Sequence, residues 1–88
     1  MDLRETIHSR LGTLDAQSID LVDDSHRHAG HAGAGGGGHF RLSVVSAAFE
    51  GKTALARHRL VYGLLADLIP SRVHALNIIA RTPEEAAR

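Results

Sequence analysis

Apolar residues recur along this chain in three rhythms, and each marks a different kind of element. Near the start, Leu3, Ile7, Leu11 and Leu14 are spaced four, four and three apart. That narrow stripe predicts a helix resting on a core by one edge. Asp2 stands where an N-cap is needed, with Glu5 three residues later in a capping-box position. Arg4, Glu5, His8 and Arg10 take the other faces, and Gly12 is the expected C-terminal stop.

The second rhythm is strict alternation. Ser18 to Asp23 predicts a first strand with Ile19 and Leu21 inward, and His39 to Ser46 a second with Phe40, Leu42 and Val44 inward. Phe49-Glu50-Gly51-Lys52 then turns the chain, and Thr53 is placed to cap a long helix that Pro70 stops. On a helical wheel Ala54, Val61, Leu65, Leu68 and Ile69 share one side, Leu55 and Tyr62 flank it, and Arg59, Gly63 and Asp67 lie opposite. On this wheel His58 projects into the apolar face, as a core histidine bonded to backbone.

The third rhythm is a nearly continuous apolar run. Val73 to Ala80 predicts a third strand, apolar at most positions as a strand covered by helices should be. Thr82-Pro83-Glu84-Glu85 opens a last helical turn in a short tail, 82–88. The order α-β-β-α-β makes the second and third strands parallel through a right-handed helical crossover. The first two strands form an antiparallel pair. The expected fold is α+β, a small three-stranded mixed sheet with helices on one face.

Composition narrows the class. Eighty-eight residues make one domain, 1–88, and aromatics at 3% leave the interior to aliphatic side chains. Lys+Arg and Asp+Glu both number 10, so the chain lacks the cationic excess of a general nucleic-acid binder. No apolar run is long enough to span a bilayer, and the first residues lack an apolar signal core. A cytoplasmic protein with no membrane contact is expected. Cysteine is absent, which excludes thiol chemistry and all-cysteine metal sites in this chain. No nucleophile with an adjacent base stands out, so no catalytic residue is assigned.

Seven histidines are the compositional oddity. Residues 25–38 form a glycine- and histidine-rich stretch without periodicity, expected to be a long mobile loop. It contains a literal GxGxxG, Gly33 to Gly38, but a strand follows rather than a helix, so the dinucleotide reading fails. Parallel strands begin at one end of a sheet. His39 and His74 therefore share an edge with the loop that carries His26, His28 and His31. Up to five imidazoles from three segments gather there, and imidazole is the commonest metal ligand. A rim histidine at His74, with the strand parity of Leu76 and Ile78, and a solvated one at His28 are the bland alternatives. Lys52, Arg57 and Arg59 near the Gly51 turn are the candidate phosphate contacts.

Asp23-Asp24-Ser25-His26-Arg27-His28, then His39-Phe40, Phe49-Glu50-Gly51 and Arg57-His58-Arg59-Leu60-Val61-Tyr62 resemble the BolA family. Val73-His74-Ala75-Leu76 and Arg81-Thr82-Pro83 complete the likeness, which covers nearly the whole chain. The resemblance implies a fold similar to class II KH domains. It also implies a non-enzymatic partner of monothiol glutaredoxins that carry a Cys-Gly-Phe-Ser motif, sharing a [2Fe–2S] cluster with them and glutathione. In the histidine type, His74 matches the strand ligand and His28 the loop ligand, with His31 an alternative in the same loop. Isolated, such a chain is expected to be monomeric and to hold no cluster. Some members are described as DNA-binding regulators of morphology and stress genes, the alternative function. This chain departs from the family in its all-glycine stretch before His39, in the extra His31, and in lacking an evident Gly-x-x-Gly nucleic-acid loop.

Overall fold

The computed structural model describes residues 2–23, 38–69 and 73–88. Helix α1 (Leu3–Arg10) opens on Asp2, whose carboxylate accepts the Glu5 N–H at 2.8 Å. The apolar stripe works as its spacing predicts, with Ile7, Leu11 and Leu14 buried. The expected stop at Gly12 is not where the element ends. A 3-10 turn, Leu11–Leu14, continues the helix and brings Leu14 onto the core. Asp15 then breaks it in the left-handed region at φ 46°. Burial of Leu14 outweighs the local preference for a glycine stop, and an aspartate tolerates the left-handed residue better than most side chains.

Strands β1 (Ser18–Asp23) and β2 (Gly38–Val45) pair antiparallel, from Ser18 opposite Val45 to Asp23 opposite Phe40. β2 starts and ends one residue earlier than alternation suggests. Ser46 has left the strand because its side chain is needed elsewhere. Its buried hydroxyl donates to the Leu14 carbonyl at 2.5 Å and accepts the Ala48 N–H at 3.0 Å. That pair of bonds ties the end of α1 to a short 3-10 turn, Ala47–Phe49, and leaves Ser46 satisfied inside the core. Gly51, at φ 76°, then takes a backbone conformation that side chains rarely adopt.

Helix α2 (Ala54–Leu65) is capped by Thr53, which accepts the Ala56 N–H, and a 3-10 turn, Ala66–Leu68, extends it. Pro70 lies outside the described residues. Strand β3 (Val73–Arg81) runs parallel to β2, so the sheet order is β1-β2-β3 with β2 central. The core joins Ile7, Leu11 and Leu14 to Leu21, Leu42 and Val44, then to Phe49, Val61, Leu65 and Leu68. Helix α3 (Pro83–Ala86) closes the chain with a full capping box between Thr82 and Glu85. Its Pro83 and Ala86, with Ala87 just after it, line a shallow cleft with Gln17, Ser18 and Val45.

Two expectations about faces are corrected. β3 is an edge strand covered on one side only: Leu76, Ile78 and Ala80 are half-buried, while Ala75, Asn77, Ile79 and Arg81 are exposed. In α2, Ala54 and Leu55 are exposed, with Leu55 at 58%, and Tyr62 flanks the helix at 41% exposure. The covered positions are Arg57, Leu60, Val61, Leu64 and Leu65. The first turn and a half of α2 overhangs the core, and apolar burial begins only at Leu60. A helical wheel reports which residues share a side; it does not report which turns lie over the sheet.

Candidate functional site

The parallel β2–β3 pair brings its two histidines to one end of the sheet, but not as simple neighbours. Gly38 is opposite Val73, and the next pair is His39 with Ala75. β3 therefore advances two residues while β2 advances one, and His74 is the residue without a partner. Such a bulge loosens the ladder locally and is a common device for re-aiming a side chain beside a site. His39 is half-buried and takes part in an interaction of its own.

The histidine-bearing segment is anchored at that same end. Asp23, its entry, is the last residue of β1 and pairs with Phe40, and Gly38, its exit, is opposite Val73. His26, His28 and His31 themselves lie outside the described residues, as does the ring direction expected for His74. Among the described residues no group of three or more His, Asp or Glu gathers as a metal site.

His58 is corrected outright. It is exposed, not in the core, and stacks on Tyr62 with ring centroids 5.9 Å apart and planes at 21°. It sits on the overhanging part of α2, where no core is beneath it.

The three candidate phosphate contacts separate. Lys52 and Arg59 are exposed on either side of the helix start. Arg57 instead points along the sheet edge, with its side chain 14% exposed. Its Nε donates to the Lys52 carbonyl at 3.0 Å and its Nη1 to the Ala80 carbonyl at 3.2 Å. Both terminal nitrogens reach the Glu85 carboxylate, at 2.6 and 3.3 Å. One guanidinium thus fastens α2, β3 and α3 together, the planar fork matching a carboxylate as lysine could not. Sequence reasoning registered Arg57 as a cation and missed this role. The signal was present in Thr82-Pro83-Glu84-Glu85, which places Glu85 to accept the Thr82 N–H at 2.9 Å.

Arg57, helped by the Thr82 N–H, holds the Glu85 carboxyl down to about 2, from an ordinary 4.5. A depressed carboxylate stabilises the fold above its ordinary value and loses that contribution as pH falls through its folded value. Acid unfolding of the wild type should therefore steepen between pH 4.5 and about 2. Glu85→Gln should flatten the stability profile in that window, as measured by urea denaturation at a series of pH values. At the other end of α2, Arg10 binds Asp67 and lowers that carboxyl too, pinning α1 to the turn after α2.

Residues 11–85 match the family described as BolA-like protein. The chain belongs to the BolA-like family. It is 39% identical to the UV-induced protein uvi31 of Schizosaccharomyces pombe, over 99% of this chain and 92% of that protein. It is 44% identical to SufE-like protein 1 of Arabidopsis thaliana over 97% of this chain, but spans only 24% of that relative's length. The solved BolA domain of SufE1 from Arabidopsis thaliana superposes with a TM-score of 0.78 at 43% identity, covering 97% of this chain and 98% of that one. The BolA-like fold is thus the α+β architecture described above. Among its described residues no helix is long and apolar enough to cross a membrane.

Proposed function

We propose that this BolA-like chain is the non-catalytic partner of a monothiol glutaredoxin with a Cys-Gly-Phe-Ser motif. With glutathione, the two proteins hold a [2Fe–2S] cluster used in iron–sulfur cluster handling or iron sensing, in the cytoplasm. The observation that carries this reading is the bulge. The unpaired strand residue is His74, and it falls where both ends of the histidine-bearing segment return to the sheet.

The donor chemistry fits. A chain without cysteine offers cluster iron no thiolate, so imidazole is the proposed donor, and an iron with two histidine ligands is an established arrangement. His74 would be the strand ligand, with His28 or His31 the second. Bound there, the cluster supplies a redox-active iron–sulfur unit that can be passed on. The chain's own part is to present one imidazole from β3 and to bring the second from the histidine-bearing segment. Mixed ligation also explains why a partner is required: neutral imidazoles alone leave the second iron without thiolates.

The test is co-expression with the host's monothiol glutaredoxin. A coloured heterodimer should co-purify, with visible circular dichroism that neither protein shows alone. A coloured, cluster-loaded chain purified without any partner would contradict the reading.

DNA binding, the alternative, rests on Lys52 and Arg59, because the Arg57 guanidinium is bound to Glu85. Two exposed cations on a chain of zero net charge neutralise few phosphates. Fluorescence anisotropy with short duplexes should show weak binding that fades steeply with salt. Tight, sequence-selective binding at physiological salt would put the regulator reading first.

A further inference from the structure

β1 and β3 are the two open edges of the sheet, and the fold treats them differently. The Ser46 N–H donates to the Arg81 carbonyl at 3.0 Å, so the backbone groups of Arg81 face β2. By strand alternation those of Ile79 and Asn77 do also, and those of Ala80, Ile78 and Leu76 face the open edge. The Ala80 carbonyl bears this out, since Arg57 reaches it from α2 at 3.2 Å. On β1, the Arg4 Nη2 donates to the Leu21 carbonyl at 3.1 Å, which covers that strand near its middle. β1 also carries Asp20 and Asp23, while β3 has no Asp, Glu, Lys, Arg, Pro or Gly from Val73 to Ala80. Proteins ordinarily protect an edge this long and apolar with charge, proline or a covering segment. Among the described residues, the cover on it is the Arg57 guanidinium at the Ala80 carbonyl.

We propose that the β3 edge pairs with β3 of a second copy of this chain, antiparallel about a two-fold axis through Asn77. This surface goes beyond the proposed cluster role and does not rest on it. The side chains choose the register. With the axis at Asn77, Leu76 faces the partner's Ile78 on the core side, both already half-buried. On the outer side Ala75 faces the partner's Ile79, which is 37% exposed in the single chain. Asn77, also exposed, meets its own copy and the two amides bond to each other. An axis at Ile78 would need the Ala80 carbonyl that Arg57 holds, and would set Asn77 against Ile79. An axis at Leu76 would set Asn77 against Ala75, leaving the amide without a partner. The two symmetric Leu76–Ile78 pairs then form the ladder, and Arg57 ends it at Ala80. So short a ladder gives a weak dimer, and the chain is monomeric only when dilute.

Sedimentation equilibrium tests this on the intact chain from about 10 μM to about 1 mM, the range suited to a small interface. The weight-average mass should rise toward twice that of the chain. Asn77→Asp, at an exposed position outside the core, sets two carboxylates against each other at the axis and should weaken the dimer at least about tenfold. Ser9→Asp, an equal charge on the exposed side of α1, should leave it unchanged. The chain has no cysteine of its own, so single cysteines report geometry directly. Cα atoms at a non-hydrogen-bonded antiparallel pair are about 4.5 Å apart, within reach of a disulfide. With oxidised glutathione, Asn77→Cys should cross-link at least about tenfold faster than Arg81→Cys, which faces Val73 of the partner rather than itself. A wild type that stays monomeric at the highest concentration overturns the proposal. So does an Asn77→Asp chain that dimerises as the wild type does, or equal cross-linking by the two cysteines.

Discussion

A heterodimer made with His74→Ala is expected to lose its shared cluster, or to shed it too quickly for colour to survive purification. His74 is fixed by β3 before any iron arrives, between residues that already pair with β2. Its backbone is ordered by folding, at a cost of roughly 1–2 kcal/mol per residue that binding need not meet again. β3 contains no second imidazole that could take its place. The loop ligand is different. His28 and His31 stand three residues apart in a glycine-rich sequence, where ordering costs more per residue and each can replace the other. His28→Ala should therefore leave a cluster with an altered spectrum and faster loss. His28→Ala with His31→Ala should be worse than either alone. Visible circular dichroism and cluster-loss rates across the heterodimers separate these cases, and a His74→Ala complex indistinguishable from wild type would make His74 a structural rim histidine.

The largest effect on stability is expected at Phe49. It is the largest of the fully buried side chains, at 0% exposure, and sits in the 3-10 turn that carries the chain from β2 toward α2. Phe49→Ala removes the transfer energy of the ring and leaves a cavity, a combined cost of about 3–5 kcal/mol. Small domains have only about 5–15 kcal/mol of total stability, so a substantial unfolded fraction should appear without denaturant. Urea denaturation followed by circular dichroism would show the midpoint falling with an unchanged slope. A small shift would mean that the aliphatic neighbours close the cavity. Phe49→Leu, which keeps most of the apolar volume, should lose far less.

Much of this fold was legible before any coordinates. Ser18 to Asp23 alternates cleanly enough that the strand limits agree with the structure, and the Asp2 and Thr53 caps both form their side-chain bonds. The order of elements also set the parallel pairing of β2 with β3, and hence the end at which His39 and His74 lie. The residues that resisted reading depend on distant parts of the chain. His58 shares a helix side with Val61 and Leu65 by spacing, yet α2 overhangs the core at that turn. Asp15 rather than Gly12 ends the first helical segment because Leu14 has a place in the core to reach. Arg57 is bound 28 residues further on at Glu85, a pairing that no local period reveals. The bulge at His74 belongs to the pairing of two strands and to neither strand by itself. Those long-range features decide which histidines and arginines are available for chemistry.

The central claim is that imidazole from this chain ligates iron shared with a thiolate partner. Pulsed electron paramagnetic resonance of the reduced heterodimer, with this chain alone labelled with ¹⁵N-histidine, tests it most directly. The account predicts ¹⁵N couplings strong enough for directly bound imidazole, from two histidines in the wild type and weakened or absent in whatever complex His74→Ala retains. A reduced cluster with no strong histidine nitrogen coupling would contradict it, since this chain has no cysteine thiolate to stand in for imidazole.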